Sequence, residues 1–258
     1  MATKGSLFTG LIVGGFALAG VIALSTCATQ RKGGAGSAAK EVSPAAGEKT
    51  AVGSTVGFTP KIDERLTPII ADLVNKFEQI EAASAKLTTE LGSAAGGPGG
   101  TQGTGNYEFK KQDGKRLIRV WLSNSMTVST GERVYSTAEV VDDIYDGEYL
   151  YKQLQQYKLK QVTKRAYTPS SILQIGGREV FRQLADGYSL ELLGEEIVHD
   201  APAYVIEAVP VGGSWKAVHK FDKTTGIRVS LLETNERGEP TVKIALSEIK
   251  LNPEFSEG

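Results

Sequence analysis

The chain has 258 residues, 40% of them hydrophobic and 23% charged, and its formal net charge at pH 7 is −1. Acidic and basic residues are mixed along it without a basic stripe, which argues against nucleic acid as a partner. The single cysteine, Cys27, excludes a disulfide scaffold and a cysteine-based metal cluster.

The N-terminus contains an apolar targeting segment. Residues 7–24 carry no charge, which is typical of a signal-peptide core or a short transmembrane helix. The following Leu24-Ser25-Thr26-Cys27 resembles the lipobox of bacterial lipoproteins, in which the cysteine is lipidated, although Thr26 stands where a smaller residue is usual. Three interpretations stay open: lipidation at Cys27, an uncleaved membrane anchor, or cleavage near Ala28. Each predicts a domain at or near a membrane, on its outer side.

A tether follows the targeting segment. Residues 29–57 are rich in Gly, Ala, Ser, Lys and Glu, and such a composition buries too little apolar surface to offset the entropy of ordering. We therefore divide the chain into a signal peptide or membrane anchor over residues 1–28, a flexible linker over 29–57 and a globular domain over 58–258.

An amphipathic helix opens the globular domain. It begins either near Asp63 or at Thr67, which places Pro68 at the first helical position. We expect its apolar stripe to pack against a sheet. The stripe follows the 3.6-residue period and consists of Ile62, Leu66, Ile69, Ile70, Leu73, Val74, Phe77 and Ile80.

Short segments of alternating polarity, separated by turns, fill most of the remaining chain. Over residues 106–251 this pattern predicts a large, curved, mostly antiparallel sheet. Residues 83–91 are expected to form the first strand and residues 92–105 a disordered hairpin loop. One or two short helices, predicted within residues 170–184, interrupt the sheet.

Little in the sequence indicates catalysis. His199 falls in a predicted turn, and His219 is expected to be a half-buried sheet residue. The adjacent pairs Asp142-Asp143 and Glu195-Glu196 cannot form carboxylate dyads, because neighbouring side chains on a strand point to opposite faces. No spacing of ligands indicates a metal site. We therefore predict a protein that is not an enzyme, with no catalytic residue, metal or cofactor.

Several stretches, taken in order, resemble the LolA-like group of periplasmic lipoprotein carriers and outer-membrane lipoprotein-sorting proteins. They are the amphipathic helix with its first strand, residues 141–151 around Asp146-Gly147, residues 188–205, the Asp-x-x-Thr-Gly hairpin at residues 222–226, and residues 249–252. The resemblance covers about residues 62–255. It implies an α+β, mostly β fold: a half-open antiparallel β-barrel of about 11 strands, covered by a few helices over an apolar cavity that receives acyl chains.

The chain also departs from the family pattern. Carriers have an arginine near an Arg-Pro step on an early strand, whereas Lys110-Lys111-Gln112-Asp113 here contains no proline, so no functional arginine is carried over. A long linker and Cys27 resemble a membrane-attached acceptor or lipid-binding lipoprotein more than a soluble shuttle.

The predicted function is that of a membrane-attached binding protein on the periplasmic side of the cell envelope. Its ligands are acyl chains of lipids or lipoproteins, and its process is outer-membrane lipoprotein sorting. The alternative is an envelope sensor or scaffold lipoprotein that binds a protein partner with the same sheet. We expect the apolar cleft to be lined by large residues of one sheet face: Trp121, Tyr149, Tyr151, Leu190, Leu192, Tyr204, Ile206, Phe221, Val229 and Leu231.

Overall fold

A computed structural model of the protein describes residues 59–92, 99–130, 133–166 and 174–254. The predicted targeting segment, the linker and Cys27 lie outside these residues, as does the first part of the predicted helical region at 170–184. The described chain contains helices α1 (Leu66–Glu78) and α2 (Arg178–Gly187). Its strands are β1 (Ala82–Gly92), β2 (Gly99–Gln112), β3 (Lys115–Thr130), β4 (Arg133–Tyr145), β5 (Tyr149–Gln156), β6 (Leu159–Ala166), β7 (Tyr188–Val198), β8 (Ala201–Pro210), β9 (Lys216–Asp222), β10 (Arg228–Thr234) and β11 (Pro240–Leu251).

All eleven strands form one antiparallel sheet in the order β6-β5-β4-β3-β2-β1-β11-β10-β9-β8-β7. Strands that follow one another in the sequence pair in the sheet, except β6 and β7, which lie at opposite ends of it. The first and last strands, β1 and β11, pair at the centre of the sheet. The end strands β6 and β7 do not pair with each other, so the sheet stays open. The predicted fold class, a half-open antiparallel sheet of about 11 strands with helices, is confirmed.

Helix α1 begins at Leu66, between the two predicted starts. The Asp63 carboxylate accepts a hydrogen bond from the Arg65 backbone N–H, and the Leu66 N–H donates to the Asp63 carbonyl. Pro68 lies in the first turn, where a missing N–H costs nothing because that N–H has no acceptor within the helix. Leu66, Leu73 and Phe77 are buried, so the predicted apolar stripe faces the sheet.

The prediction of a disordered loop over residues 92–105 is wrong for residues 99–105. They form the first half of β2 and pair with both β1 and β3. A Cβ atom on Gly105 would lie 1.8 Å from the Trp121 carbonyl oxygen. The glycine therefore permits a close approach of two strands, a use of glycine that composition alone does not separate from loop character.

Candidate apolar ligand-binding face

The strand register defines which side chains share a face of the sheet. Residues directly opposite each other on antiparallel strands point to the same side. The face on which α1 and α2 pack is called the inner face below, and the other the outer face. One row of the inner face crosses ten strands and consists of Leu192, Ile206, His219, Leu231, Ile244, Thr89, Gly103, Asn124, Glu139 and Gln156.

The two helices cover the inner face of β7 to β10. The Phe181 ring of α2 lies 4.7 Å from the Phe221 ring of β9, measured between centroids. Leu66 and Leu73 of α1 are fully buried in the same cluster. Its buried members are Leu66, Leu73, Val180, Phe181, Leu184, Leu190, Ile206, Ala208, Ala217, Phe221 and Leu231.

The inner face of β2 to β5 also carries many apolar side chains. Helix α1 reaches its margin, where the Phe77 ring lies 5.6 Å from the Phe109 ring and the Arg116 guanidinium stacks 4.9 Å above Phe77. The apolar character continues far beyond that contact. Its buried residues are Tyr107, Phe109, Ile118, Val120, Leu122, Val141 and Leu150.

One row of polar side chains crosses this apolar half. The buried Asn124 Nδ2 donates to Glu139 Oε1 over 3.1 Å, and Thr89 lies buried in the same row. Asp143 lies four residues after Glu139 on the same face of β4, and its carboxyl is also buried. Burial raises its pKa, and the charges of Lys152 and Arg165 oppose that shift. The inner face thus offers apolar rows beside a polar row, the pattern that suits an amphiphile.

Six of the ten predicted cleft residues come together beneath the helices. Leu190, Ile206, Phe221 and Leu231 are buried members of the cluster, and two partly buried residues pack against it. Those two are Leu192 and Tyr204. Val229 is also buried, at a register shift in β10 next to the Phe221 pairing.

The other three predicted cleft residues lie on the outer face, so the prediction of one shared face is wrong for them. Trp121 pairs with Asp142, while the inner-face Leu122 pairs with Val141. Tyr151 pairs with Ile144, and Tyr149 lies on the same side two residues earlier. The sequence could not reveal this, because β3 is apolar on both faces and alternation within a strand does not say which face is inside.

The structure offers no catalytic arrangement among the residues it describes. His219 is buried on the inner face; desolvation, with the nearby Arg228 charge, lowers its pKa to about 3. Neither ring nitrogen has a hydrogen-bond partner, so no carboxylate orients it as a base. Within the described ranges, no three His, Cys, Asp or Glu side chains are grouped to hold a metal ion. None of the described helices has the length and apolar character to cross a membrane.

No protein-family model matches the chain, and no curated protein matches it. Solved structures do. The MucA/MucB complex structure of Pseudomonas aeruginosa is similar at 17% identity and a TM-score of 0.45, covering 75% of this chain and 59% of that one. LprF from Mycobacterium bovis is similar at 13% identity and a TM-score of 0.42, covering 78% and 98%. A LolA superfamily protein from Nitrosomonas europaea is similar at 11% identity and a TM-score of 0.25, covering 73% and 96%.

The similar structures thus include a LolA superfamily protein, as the sequence resemblance predicts. This chain spans less than two thirds of the MucB chain that it matches. Because the identities are below 25% and the TM-scores below 0.5, we draw no functional argument from these likenesses.

Proposed function

We propose that the protein is a membrane-attached binding protein of the periplasmic side of the cell envelope. It holds acyl chains of lipids or lipoproteins against the inner face, and its process is outer-membrane lipoprotein sorting. One observation carries the proposal: the apolar inner face is far larger than the two helices that pack on it.

A comparison of areas supports this. Helices of 13 and 10 residues are about 20 and 15 Å long and about 10 Å wide, so together they cover roughly 350 Å². Ten strands spaced about 4.8 Å apart, with about 25 Å of paired length, present roughly 1,200 Å². The two helices therefore cover about a third of the face. The apolar side chains of β2 to β5 are nevertheless buried in the structure, so an acyl chain has to displace what covers them in order to bind there.

The energetics of acyl burial predict how binding should behave. Each buried methylene contributes about 0.8 kcal/mol, so a dozen contribute on the order of 10 kcal/mol before association and ordering costs reduce it. Affinity should therefore rise with chain length and tolerate varied head groups. The Asn124–Glu139 row is the place where a head group would find hydrogen-bonding partners.

A second candidate function is the scaffold that binds a protein partner, and exposed apolar residues on the outer face favour it. Trp121, Ile144 and Val162 are 37%, 41% and 63% exposed. Tyr151 lies between them, since it pairs with Ile144 on one side and Lys164 on the other. Apolar surface of this kind is common at protein interaction sites.

Binding of fluorescent fatty acyl probes to the full-length protein tests the acyl proposal. A series of increasing chain length should bind progressively more tightly. Val141→Asp, on the inner face of β4, should weaken binding at least about tenfold, since a charge enters the apolar rows. Val140→Asp is the matched control, because its side chain points to the outer face.

Circular dichroism of both variants establishes that they are folded, and the chain-length series on the unaltered protein needs no variant. If the folded protein ignores probes of every length, the acyl proposal fails. If the Val140 variant loses binding and the Val141 variant keeps it, the ligand lies on the outer face instead.

A further inference from the structure

Strand β6 presents an open sheet edge. Its eight residues pair with β5 from Leu159 to Ala166 without a bulge, and all eight are exposed. Within the described residues, the backbone of β6 bonds only to β5. Every second N–H and C=O therefore points outward, which is the template that an added strand requires.

The opposite edge of the sheet is treated differently. Along β7, the chain before α1 lies as a strap against the edge. The Asp63 N–H donates to the Leu190 carbonyl over 2.9 Å, and the Leu190 N–H donates to the Lys61 carbonyl over 2.8 Å. Arg65 adds a bond to the Leu192 carbonyl. The protein thus covers part of one edge with its own backbone and leaves β6 uncovered by any described segment.

The hairpin formed by β5 and β6 has one sign of charge. Residues 149–166 contain five basic side chains and no acidic one. No ion pair joins any of the five to an acidic residue in the described ranges. They are Lys152, Lys158, Lys160, Lys164 and Arg165.

This charge selects the kind of strand that can add to the edge. A second copy of β6 would place cations opposite cations, which disfavours pairing between copies. Lysines are one device that protects edges from aggregation, and β6 lacks two others, a proline and a bulge. A regular basic edge therefore disfavours pairing with a second copy of itself and is complementary to an acidic strand.

The alternation of β6 specifies the side chains further. Lys160, Val162 and Lys164 point to the outer face, and Leu159 and Arg165 to the inner face. Lys164 Nζ lies 3.9 Å above the Tyr149 ring of β5, so its ammonium is held on the outer face of the hairpin. An added strand would meet cations at alternate positions, with apolar contacts between them.

We propose that β6 is a docking edge for an extended acidic segment of a partner protein. The segment adds to the sheet as a further strand through backbone hydrogen bonds, and its carboxylates meet Lys160 and Lys164 on the outer face. This goes beyond the acyl-binding proposal and does not depend on it. It gives the scaffold alternative a partner of defined chemistry.

A synthetic peptide of alternating Glu and Val, as long as β6, tests the proposal with the full-length protein. It should bind, while its Lys-for-Glu counterpart should not. Methylation of the peptide nitrogens that face β6 keeps every charge but removes the backbone donors, and it should weaken binding at least about tenfold. Bound peptide should slow amide hydrogen exchange at every second residue of β6.

Charge-reversal variants provide the matched control. Lys160→Glu with Lys164→Glu, both on the outer face, should weaken peptide binding at least about tenfold. Lys110→Glu with Lys250→Glu changes the net charge equally at exposed positions on β2 and β11, and should leave binding within about twofold. Acyl probes should bind both double variants equally, so failure of this proposal is distinguishable from failure of the acyl cleft.

Three outcomes would overturn the docking edge. One is equal binding of the N-methylated peptide, which would reduce the contact to charge alone. Another is exchange protection away from β6. The third is binding to vesicles rich in phosphatidylserine without binding to the acidic peptide, which would assign the basic hairpin to a membrane surface instead.

Discussion

His219 is the one buried imidazole among the residues that the structure describes, and it lies in an apolar setting. Its ring stacks on Phe221 with 6.1 Å between centroids. Across the strands its neighbours are Ile206 and Leu231. Desolvation, aided by the Arg228 charge, lowers the pKa of His219 to about 3. The folded protein therefore holds this ring neutral at any pH near neutrality.

The lowered pKa predicts how stability depends on pH. An unfolded histidine titrates near pH 6.5. Between that pH and about 3, the unfolded state is therefore protonated at this residue while the folded state is not. The contribution is constant above about pH 6.5 and is lost as pH falls, by about 1.4 kcal/mol per pH unit. Urea unfolding from pH 6.5 down to about 4.5 should show about 2 kcal/mol of loss from this residue.

His219→Phe separates this loss from the titration of carboxylates. The phenyl ring keeps the stacking on Phe221 and has no proton to bind, so the stability of the variant should fall by about 2 kcal/mol less over the same range. At neutral pH the variant should be at least as stable as the wild type, because the imidazole nitrogens have no hydrogen-bond partners to lose. Parallel pH profiles for the two proteins would contradict the assignment.

At the scale of single residues, the sequence predicts which residues are apolar better than it predicts on which face of the sheet they lie. The predicted residues of β7 to β9 do share one face, because alternation there continues across short hairpins into a buried cluster. Trp121 and Tyr151 were misplaced since the face of a strand is set by its register with its neighbours. That register depends on long-range pairs such as Ala83 with Leu251, which no local pattern encodes.

The turn between β9 and β10 connects local chemistry with helix packing. The Asp222 carboxylate accepts hydrogen bonds from the backbone N–H groups of Thr224 and Thr225, at 2.8 and 2.7 Å. Gly226 follows with a φ of +71°. A Cβ atom on Gly226 would lie 2.1 Å from the Leu73 carbonyl oxygen of α1. The turn therefore fixes how closely the helix can approach the sheet.

Gly226→Ala should separate backbone strain from steric contact. Gly238 is the matched control, because its φ of +78° is similar and nothing lies within 4 Å of an added Cβ. Gly238→Ala should lower the free energy of unfolding by about 1 kcal/mol, the cost of the left-handed conformation. Gly226→Ala should cost about 3 kcal/mol, since α1 must also move. Equal losses in urea unfolding would show that the helix does not rest on this turn.

At the scale of elements, local signals carried most of the prediction. The apolar stripe predicted α1, and Asp146-Gly147 predicted a hairpin in which the Asp146 carboxylate accepts from the Glu148 and Tyr149 N–H groups. The sequence predicts a loop at the start of β2 because so many glycines are typical of a loop. In the structure these glycines allow close contact between strands. A sequence does not distinguish a glycine that permits close packing of strands from a glycine that provides backbone flexibility in a loop. The distinction requires knowing which strand lies next to it.

At the scale of the whole molecule, the sheet consists of two meanders joined at their ends. Strands β1 to β6 form one and β7 to β11 the other, and only the β1–β11 pairing connects them within the sheet. That pairing runs from Ala83 with Leu251 to Leu91 with Val242. Because the first and last strands close the arrangement, neither meander has its full set of neighbours without the other. The strands of the described residues all lie within residues 82–251.

This arrangement predicts that a chain beginning at Phe58 folds by itself. It contains every strand that the structure describes, so urea and thermal unfolding should each give one cooperative transition, with coincident circular dichroism and fluorescence signals. The same truncation removes residues 7–24 and Cys27, and with them the proposed attachment, so the protein should move from the membrane fraction to the soluble one. Full-length Cys27→Ser is the control that identifies the attachment. Release of this variant indicates lipidation, and retention indicates an uncleaved anchor. A broad, non-cooperative melt of the truncated chain would contradict an independent domain, and a full-length wild type found in the soluble fraction would contradict membrane attachment of either kind.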